Sequence, residues 1–380
     1  MRLLTGGRRA PADAVDREAV LAALHRVEDP ELHLPLDDAG MLEDVGIERS
    51  GAVRVTLRLT TPTCPLKDTL TGEVTHAVSS VDGVERVEVT FTTMSDSQKM
   101  QLATRLRGDD RSGAHPFGPD STTRVYAVAS GKGGVGKSTV TANLAAALAR
   151  RGRRVGVLDA DIWGYSVPQL FGVRRPPVAI KGVMLPVEAH GVALMSVGFI
   201  VDDAEPVMWR GPMLHKAIQQ FLSDVHWGDL DVLLIDLPPG TGDVTMSLLE
   251  LVPDAALVAV TTPQPAARTV AERVGRMARN ARMPVAGVVE NMTSLACGSC
   301  GAHTAVFGTG GGQLLADAIA APLLGQVPLD LATREAGDTG VPVVVHDPSS
   351  PAARELDRIA ADLPVVRRSL AGRKLPLTVV

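Results

Sequence analysis

One decapeptide, Ser130-Gly131-Lys132-Gly133-Gly134-Val135-Gly136-Lys137-Ser138-Thr139, limits what this chain can fold into more than any other stretch. It satisfies the pattern G-x-x-x-x-G-K-S/T, with glycines at 131 and 136, a lysine at 137 and a hydroxyl at 138. Residues 124–130 read as a short buried strand, and residues 138–151 read as an alanine-rich helix. In such a strand–loop–helix unit the glycines let successive backbone N–H groups turn inward on phosphates at the positive end of the helix. The pattern predicts a nucleoside triphosphate site over Gly131–Thr139. Lys137 should reach the β/γ-phosphates, and the Ser138 hydroxyl should ligate Mg²⁺.

The rest of the chain fits around that unit. From residue 124 onward, strand candidates at 124–130, 154–159, 231–236, 255–261, 285–290 and 322–327 alternate with helices. The helices fall at 138–151, 212–225, 243–251, 264–282, 310–319 and 351–362, and runs around Val183 and Val192 suggest a hairpin. Repeated βα units imply an α/β fold with a doubly wound, mainly parallel sheet and ligands at the carboxyl ends of its strands. Residues 1–105 read as a separate small α+β domain. It has a helix over 16–27, strands at 42–48, 53–60 and 84–91 in an antiparallel sheet, and a helix over 66–81. Residues 106–123, rich in glycine, proline, aspartate and serine, read as a linker, leaving 124–380 as the ATPase domain.

Composition narrows the class of partner. A net charge of −5 argues against nucleic acid or an anionic membrane. No apolar run approaches transmembrane length, and the N-terminus lacks the apolar stretch of a signal peptide. Three cysteines in 380 residues make no disulfide framework, so the expected compartment is the reducing cytoplasm. With aromatics at 3%, aliphatic side chains must supply the core.

A phosphate loop needs a partner acid at the end of an apolar strand, and Asp236, closing Asp231-Val-Leu-Leu-Ile-Asp236, supplies one as a Mg²⁺ ligand. The stiff turn Pro238-Pro239-Gly240 follows, placed to sense the γ-phosphate. The second strand ends in Asp159-Ala160-Asp161. Asp161 is the candidate to orient the attacking water, with Asp159 as a metal-side contact, or else one of the two caps the next segment. Lys132, inside the loop, is either a solvated lysine or a cation that crosses to a neighbouring subunit's phosphates. Cys297-Gly298-Ser299-Cys300 has the spacing for two thiolates on one metal or cluster, for a redox dithiol, or for neither. Four thiolates at one site would require two subunits. Cys64 precedes a helix, whose dipole should lower its pKa, or it is a small buried residue and no more. Arg273, Arg276, Arg279 and Arg282 read as a solvated helix face.

These residues also carry a resemblance. Gly131 to Thr139 looks like the deviant Walker A loop of the MinD/nitrogenase-iron-protein class of P-loop ATPases. Leu158 to Gly164, Trp209 to Met213, Trp227 to Asp243, Glu290-Asn-Met292 and the cysteine pair together resemble the Mrp/ApbC iron–sulfur cluster carrier proteins. Asp29-Pro30-Glu31 and Thr63-Cys64-Pro65 are similar to the MIP18-type (DUF59) domain fused in front of bacterial members. The resemblance implies an ATP-hydrolysing homodimer that holds a 4Fe–4S cluster between subunits. Its partners would be apo iron–sulfur proteins and a cluster-assembly scaffold. It further implies that Lys132 acts across the dimer, that Asn291 and Pro328 contact adenine, and that Cys297 and Cys300 of each chain bridge the cluster. Gly298-Ser299 replaces the proline and larger residue of many relatives, and Trp163-Gly164-Tyr165 replaces a tyrosine-glycine-proline. A MinD-like positioning ATPase is a second reading, for which the negative charge and Pro376 in the C-terminal segment are poor support. A dimer stapled by structural zinc is a third.

Overall fold

Runs of valine, leucine and isoleucine too short for helices recur between amphipathic or alanine-rich stretches, and a computed structural model shows what they build. It describes residues 15–62, 64, 66–107, 116–118, 121–162, 164–199, 211–297, 300 and 302–365. Trp163, Trp209, Arg210, Thr63, Pro65, Gly298, Ser299 and the segment containing Pro376 lie outside the described residues. The chain divides into two compact units: Met1–Arg111 with Ala179–Leu185, and Ser112–Val178 with Pro186–Val380.

The order of elements begins α1 (Arg17–His25), β1 (Leu42–Ile47), β2 (Ala52–Leu59), α2 (Lys67–Ser79), β3 (Arg86–Thr93) and α3 (Asp96–Leu106). It continues with β4 (Arg124–Ser130), α4 (Lys137–Arg150), β5 (Val155–Asp159), α5 (Val167–Leu170), β6 (Val178–Ile180), β7 (Val183–Leu185), β8 (Val187–Ala189) and β9 (Val192–Ser196). Next come α6 (Gly211–Ser223), β10 (Val232–Asp236), α7 (Asp243–Leu251), β11 (Ala256–Thr261), α8 (Pro265–Asn280), β12 (Val285–Ala296) and β13 (His303–Thr304). The series closes with α9 (Gly311–Ala318), β14 (Leu323–Leu329), α10 (Leu331–Thr339), α11 (Val343–His346) and α12 (Pro351–Ala361).

In the first unit β1 and β2 are antiparallel, but β2 and β3 run parallel, with Val55 opposite Val89. The expectation of an antiparallel sheet is therefore corrected. A helix, α2, joins β2 to β3, and a connection of that length returns the chain to the starting end of the strand. Val53, Val55, Leu57 and Leu59 alternate inward, as a half-buried strand requires. Helix α3 is an addition to the expected elements, although Ser95 and Gln98 form a full capping box at its start. The unit also includes Ala179–Leu185, where Lys181 Nζ lies 2.8 Å from Asp96 Oδ1 and Arg107 donates to the Lys181 carbonyl at 3.0 Å. The single hairpin expected around Val183 and Val192 is in fact two pairings, β6 with β7 and β8 with β9.

The second unit is built on a sheet ordered β8-β9-β5-β10-β4-β11-β12, with β14 also on β12 and β13 on the far end of β12. All its pairings are parallel except those of β8 and β13. Helices cover both faces of a parallel sheet, so β4, β5, β10 and β11 are buried without alternation. Because β10 inserts between β4 and β5, Asp236 falls opposite both Val128 and Asp159 at the carboxyl edge. Helix α4 is buried around most of its circumference; Ala142, Ala145, Ala146 and Ala147 allow close approach, and α12 packs on it through Ala352, Ala353, Leu356 and Ile359. Helices α10 and α11 are further additions; Asp330 caps the first, and Asn143 Oδ1 accepts from Val344 N–H in the second. Among the described residues no helix is long and apolar enough to cross a membrane.

Leu144, with no exposed surface, is the large side chain among these alanines. Leu144→Ala should cost about 2–5 kcal/mol, read as a lowered urea midpoint of the second unit. An unchanged midpoint would show that α4 is not part of the stabilising core.

Candidate functional site

The phosphate loop links β4 to α4 through two left-handed glycines, Gly134 (φ 76°) and Gly136 (φ 82°). It lines a cleft of about 490 Å³ together with Asp161, Gly164, Pro238 and Pro239, within the usual range for small-molecule sites. Lys132, Gly133, Gly134, Val135, Gly136, Lys137, Ser138 and Thr139 all face this cleft. Gly131 instead backs the loop: a Cβ there would collide with the Ala271 backbone nitrogen on α8. The Pro238-Pro239-Gly240 turn is tied to the end of β4, since Gly240 N–H donates to the Ser130 carbonyl at 2.8 Å.

Three carboxylates gather around one ammonium. Asp236 is fully buried; its Oδ2 accepts from Lys137 Nζ at 2.6 Å and from Ser138 Oγ at 2.5 Å, and its Oδ1 accepts from Thr141 Oγ1 at 2.7 Å. Thr141 is a site residue that sequence reasoning missed. It stands one helical turn beyond Lys137 on the same face of α4, which is the signal that could have found it. Asp161 Oδ2 is 3.6 Å from Lys137 Nζ, while its Oδ1 accepts from Gly164 N–H. Asp159 shapes the loop that follows it, the capping role the sequence left open. Its oxygens accept from the Asp161 and Val167 N–H groups and from Ser196 Oγ, all within 3.2 Å. Burial, and then the charge of Asp236, push the Asp159 carboxyl up to about 7. Burial also raises Asp161, against the pull of Lys137. A surplus of negative charge, with hard oxygen donors from Ser138 and Asp236 in contact, is a donor set that suits Mg²⁺.

The remaining expected residues are placed as follows. Lys132 is not simply solvated: its Nζ donates to Gln264 Oε1 at 3.0 Å, at the start of α8. Asn291 is buried, and its Nδ2 donates to the Val135 carbonyl at 2.9 Å, so the amide touches the phosphate loop itself. Pro328 is half-buried in β14, beside Val327, which pairs with Asn291. Of the arginines on or next to α8, Arg273, Arg279 and Arg282 are exposed, and Arg276 pairs with Glu272 at 3.1 Å.

The cysteine pair does not follow a strand ending at Glu290, as the sequence suggested. Strand β12 continues to Ala296, because its end gains an antiparallel partner in β13. Cys297 and Cys300 are therefore exposed at the turn of a two-stranded ribbon, where Cys297 N–H donates to the Ala302 carbonyl at 2.8 Å. For Cys64 the buried reading prevails over the activated one. Burial is the main cause that pushes its thiol up, with the charges of Glu31 and Asp29 adding to it. The Leu66 N–H at the start of α2 pulls the other way without prevailing.

Comparison with known proteins bears on this geometry. The ParA family model, described as the NUBPL iron-transfer P-loop NTPase, matches residues 121–364, and a model described as an iron-sulfur cluster assembly protein matches residues 17–91. An iron-sulfur cluster carrier protein of Mycobacterium leprae is 49% identical over 377 residues, covering 97% of this chain and 98% of that one. A protein of the same description from Synechocystis is 42% identical over 352 residues, covering 91% of this chain and 96% of its own length. Among solved structures, a nucleotide-binding protein of Archaeoglobus fulgidus in complex with ADP is similar at TM-score 0.54 and 35% identity. That match covers 65% of this chain and 94% of the other.

The acid cluster makes a pH prediction. The folded value of about 7 for Asp159 lies above its ordinary 3.8. Its stabilising contribution is thus fully present below the ordinary value and is lost as pH rises through 7. Asp159→Asn should flatten that part of the decline, measured as the unfolding midpoint against pH. An unaltered slope would show that Asp159 does not hold the proton.

Proposed function

The chain belongs to the family of iron-transfer P-loop NTPases, and from that membership we propose that it binds and hydrolyses ATP as a homodimer and carries a 4Fe–4S cluster to apo iron–sulfur proteins. The observation that carries the reading is the pairing, in one unit, of a complete phosphate cleft with an exposed two-cysteine turn. Two thiolates leave a cluster half-ligated, and a second copy completes the set.

In this reading the loop N–H groups and Lys137 bind the triphosphate, and Lys137 exchanges the Asp236 carboxylate for phosphate oxygens. Ser138 and Asp236 are the residues to hold Mg²⁺, which when bound offsets charge on the phosphates. Asp161 orients the attacking water, and its burial-raised proton affinity equips it to take up that water's proton. Lys132 leaves Gln264 and reaches the phosphates of the partner subunit. Asn291 and Pro328 flank the base. The cluster is cargo, held by Cys297 and Cys300 of both chains, and a cluster-assembly scaffold is its source.

Anaerobic addition of iron and sulfide tests the cargo. A brown protein absorbing at about 400 nm is expected from thiolate-ligated iron–sulfur chemistry. The colour should be lost in the Cys297→Ala, Cys300→Ala double variant; tight colourless zinc under the same conditions would defeat the proposal. For the ATPase, Asp161→Ala should retain nucleotide binding and lose turnover. Lys132→Ala should lower turnover by about 10²–10³-fold, as loss of a charge-stabilising donor does; full activity would remove Lys132 from the mechanism.

A further inference from the structure

Glu290 and Asn291 stand together where the pairing of β12 with β11 ends, and both are buried. Glu290 anchors the strand on two sides: its Oε1 accepts from Gly312 N–H at 2.7 Å on α9, and its Oε2 accepts from Gln326 Nε2 at 2.6 Å on β14. Asn291 turns to the phosphate loop. Its Nδ2 donates to the Val135 carbonyl, while its Oδ1 accepts from Met292 N–H at 2.9 Å. The same Nδ2 occupies the space that a Cβ on Gly136 would need, so the amide presses on the two residues just before Lys137. In a loop that turns N–H groups toward phosphate, carbonyls are left pointing away. Asn291 holds one of them, and a shift of that backbone on phosphate binding must strain or relax the bond.

The next residue is built to bend. Met292 has φ 59°, the left-handed region that a non-glycine residue adopts only where the surrounding structure imposes it. Between the pairs Asn291↔Val327 and Leu295↔Leu329, β12 advances four residues while β14 advances two, so two extra residues bulge from β12. Bulges re-aim the strand that carries them. Beyond this one the strand pairs with β13 and delivers Cys297. Anchor, tether, bend and cysteine arm thus follow one another within residues 290–297.

We propose that Asn291 is a positioning residue that couples the phosphate loop to the cysteine pair. Nucleotide occupancy alters the Val135–Asn291 bond, and the Met292 bulge converts that change into movement of the ribbon bearing Cys297 and Cys300. The proposal rests on the nucleotide and cluster reading above and names the path between its two sites. Because coupling is reciprocal, ligation of the cysteines changes nucleotide affinity by the same factor.

The test uses the full chain carrying Cys64→Ser, which leaves Cys297 and Cys300 as its thiols. Nucleotide affinity is titrated directly, and iodoacetamide alkylation of the two cysteines is then followed with and without a saturating non-hydrolysable ATP analogue. In this parent the analogue should change the rate by about 5-fold or more, the lower end of allosteric coupling. Asn291→Asp keeps the acceptor for Met292 N–H and loses the donor to Val135, so the nucleotide effect should vanish. A Gly-Gly insertion between Ser294 and Leu295 lies beyond the tether; it should leave affinity unchanged and also abolish the effect. If Asn291→Asp fails to fold or bind, the insertion alone decides. A full effect in either folded, nucleotide-bound variant overturns the proposal, as does an analogue that binds the parent without altering its thiols. Failure of the analogue to bind the parent defeats the nucleotide reading, and the coupling with it.

Discussion

A carboxylate with no exposed surface sits at the centre of the nucleotide-binding unit. Leaving Asp236 charged away from water costs several kcal/mol unless other groups replace its hydration, and Lys137, Ser138 and Thr141 together do so. All three donors come from the first turns of α4, so the start of that helix is pinned to the end of β10. The pin exists because β10 lies between β4 and β5 and brings its last residue level with Val128 and Asp159. Removing one partner of such a pair leaves a stranded charge, at a cost of roughly 3–5 kcal/mol. The lysine that marks the motif therefore serves the fold as well as the ligand.

The same pinning decides which parts are rigid. Gly131 is pressed against the α8 backbone and Gly136 against Asn291, so the loop is clamped from two sides. Helix α4 behind it is packed among alanines on nearly every face. Interiors of this density respond to a ligand by passing strain onward rather than by absorbing it. The ribbon beyond Met292, with Cys297 and Cys300 exposed, lies outside this clamp.

Much of this is legible in the sequence, for identifiable reasons. Strands buried on both faces appear as uninterrupted apolar runs, and glycines with a lysine at fixed spacing leave few alternatives, so the sheet and the cleft can be read directly. Pairing direction is less accessible. Nothing in the alternation of 84–91 distinguishes a parallel from an antiparallel neighbour, and only the helix before it does. The extension of β12 past Glu290 is hidden because Asn291, Thr293 and Ser294 are polar, and its strand character comes from β13 and β14. Gln264 as the partner of Lys132, and Ser196 as the partner of Asp159, join residues far apart in the chain, and no local pattern announces such pairs. Cys64 misleads because a helix start is visible in the sequence, whereas the burial of the thiol and its acidic neighbours are not.

The seven residues Ala179–Leu185 carry a consequence for how such a chain can be taken apart or assembled. They lie between two strands of the nucleotide-binding sheet, yet they pack as part of the N-terminal unit, so the chain passes from one unit to the other at 111/112, 178/179 and 185/186. No single cut separates the two. A fragment starting at Ser112 would keep Ile180, Val183 and Leu185, each nearly fully buried in the whole chain, and lose the unit they belong to. A cut at 111/112 alone therefore exposes apolar side chains that the whole chain buries.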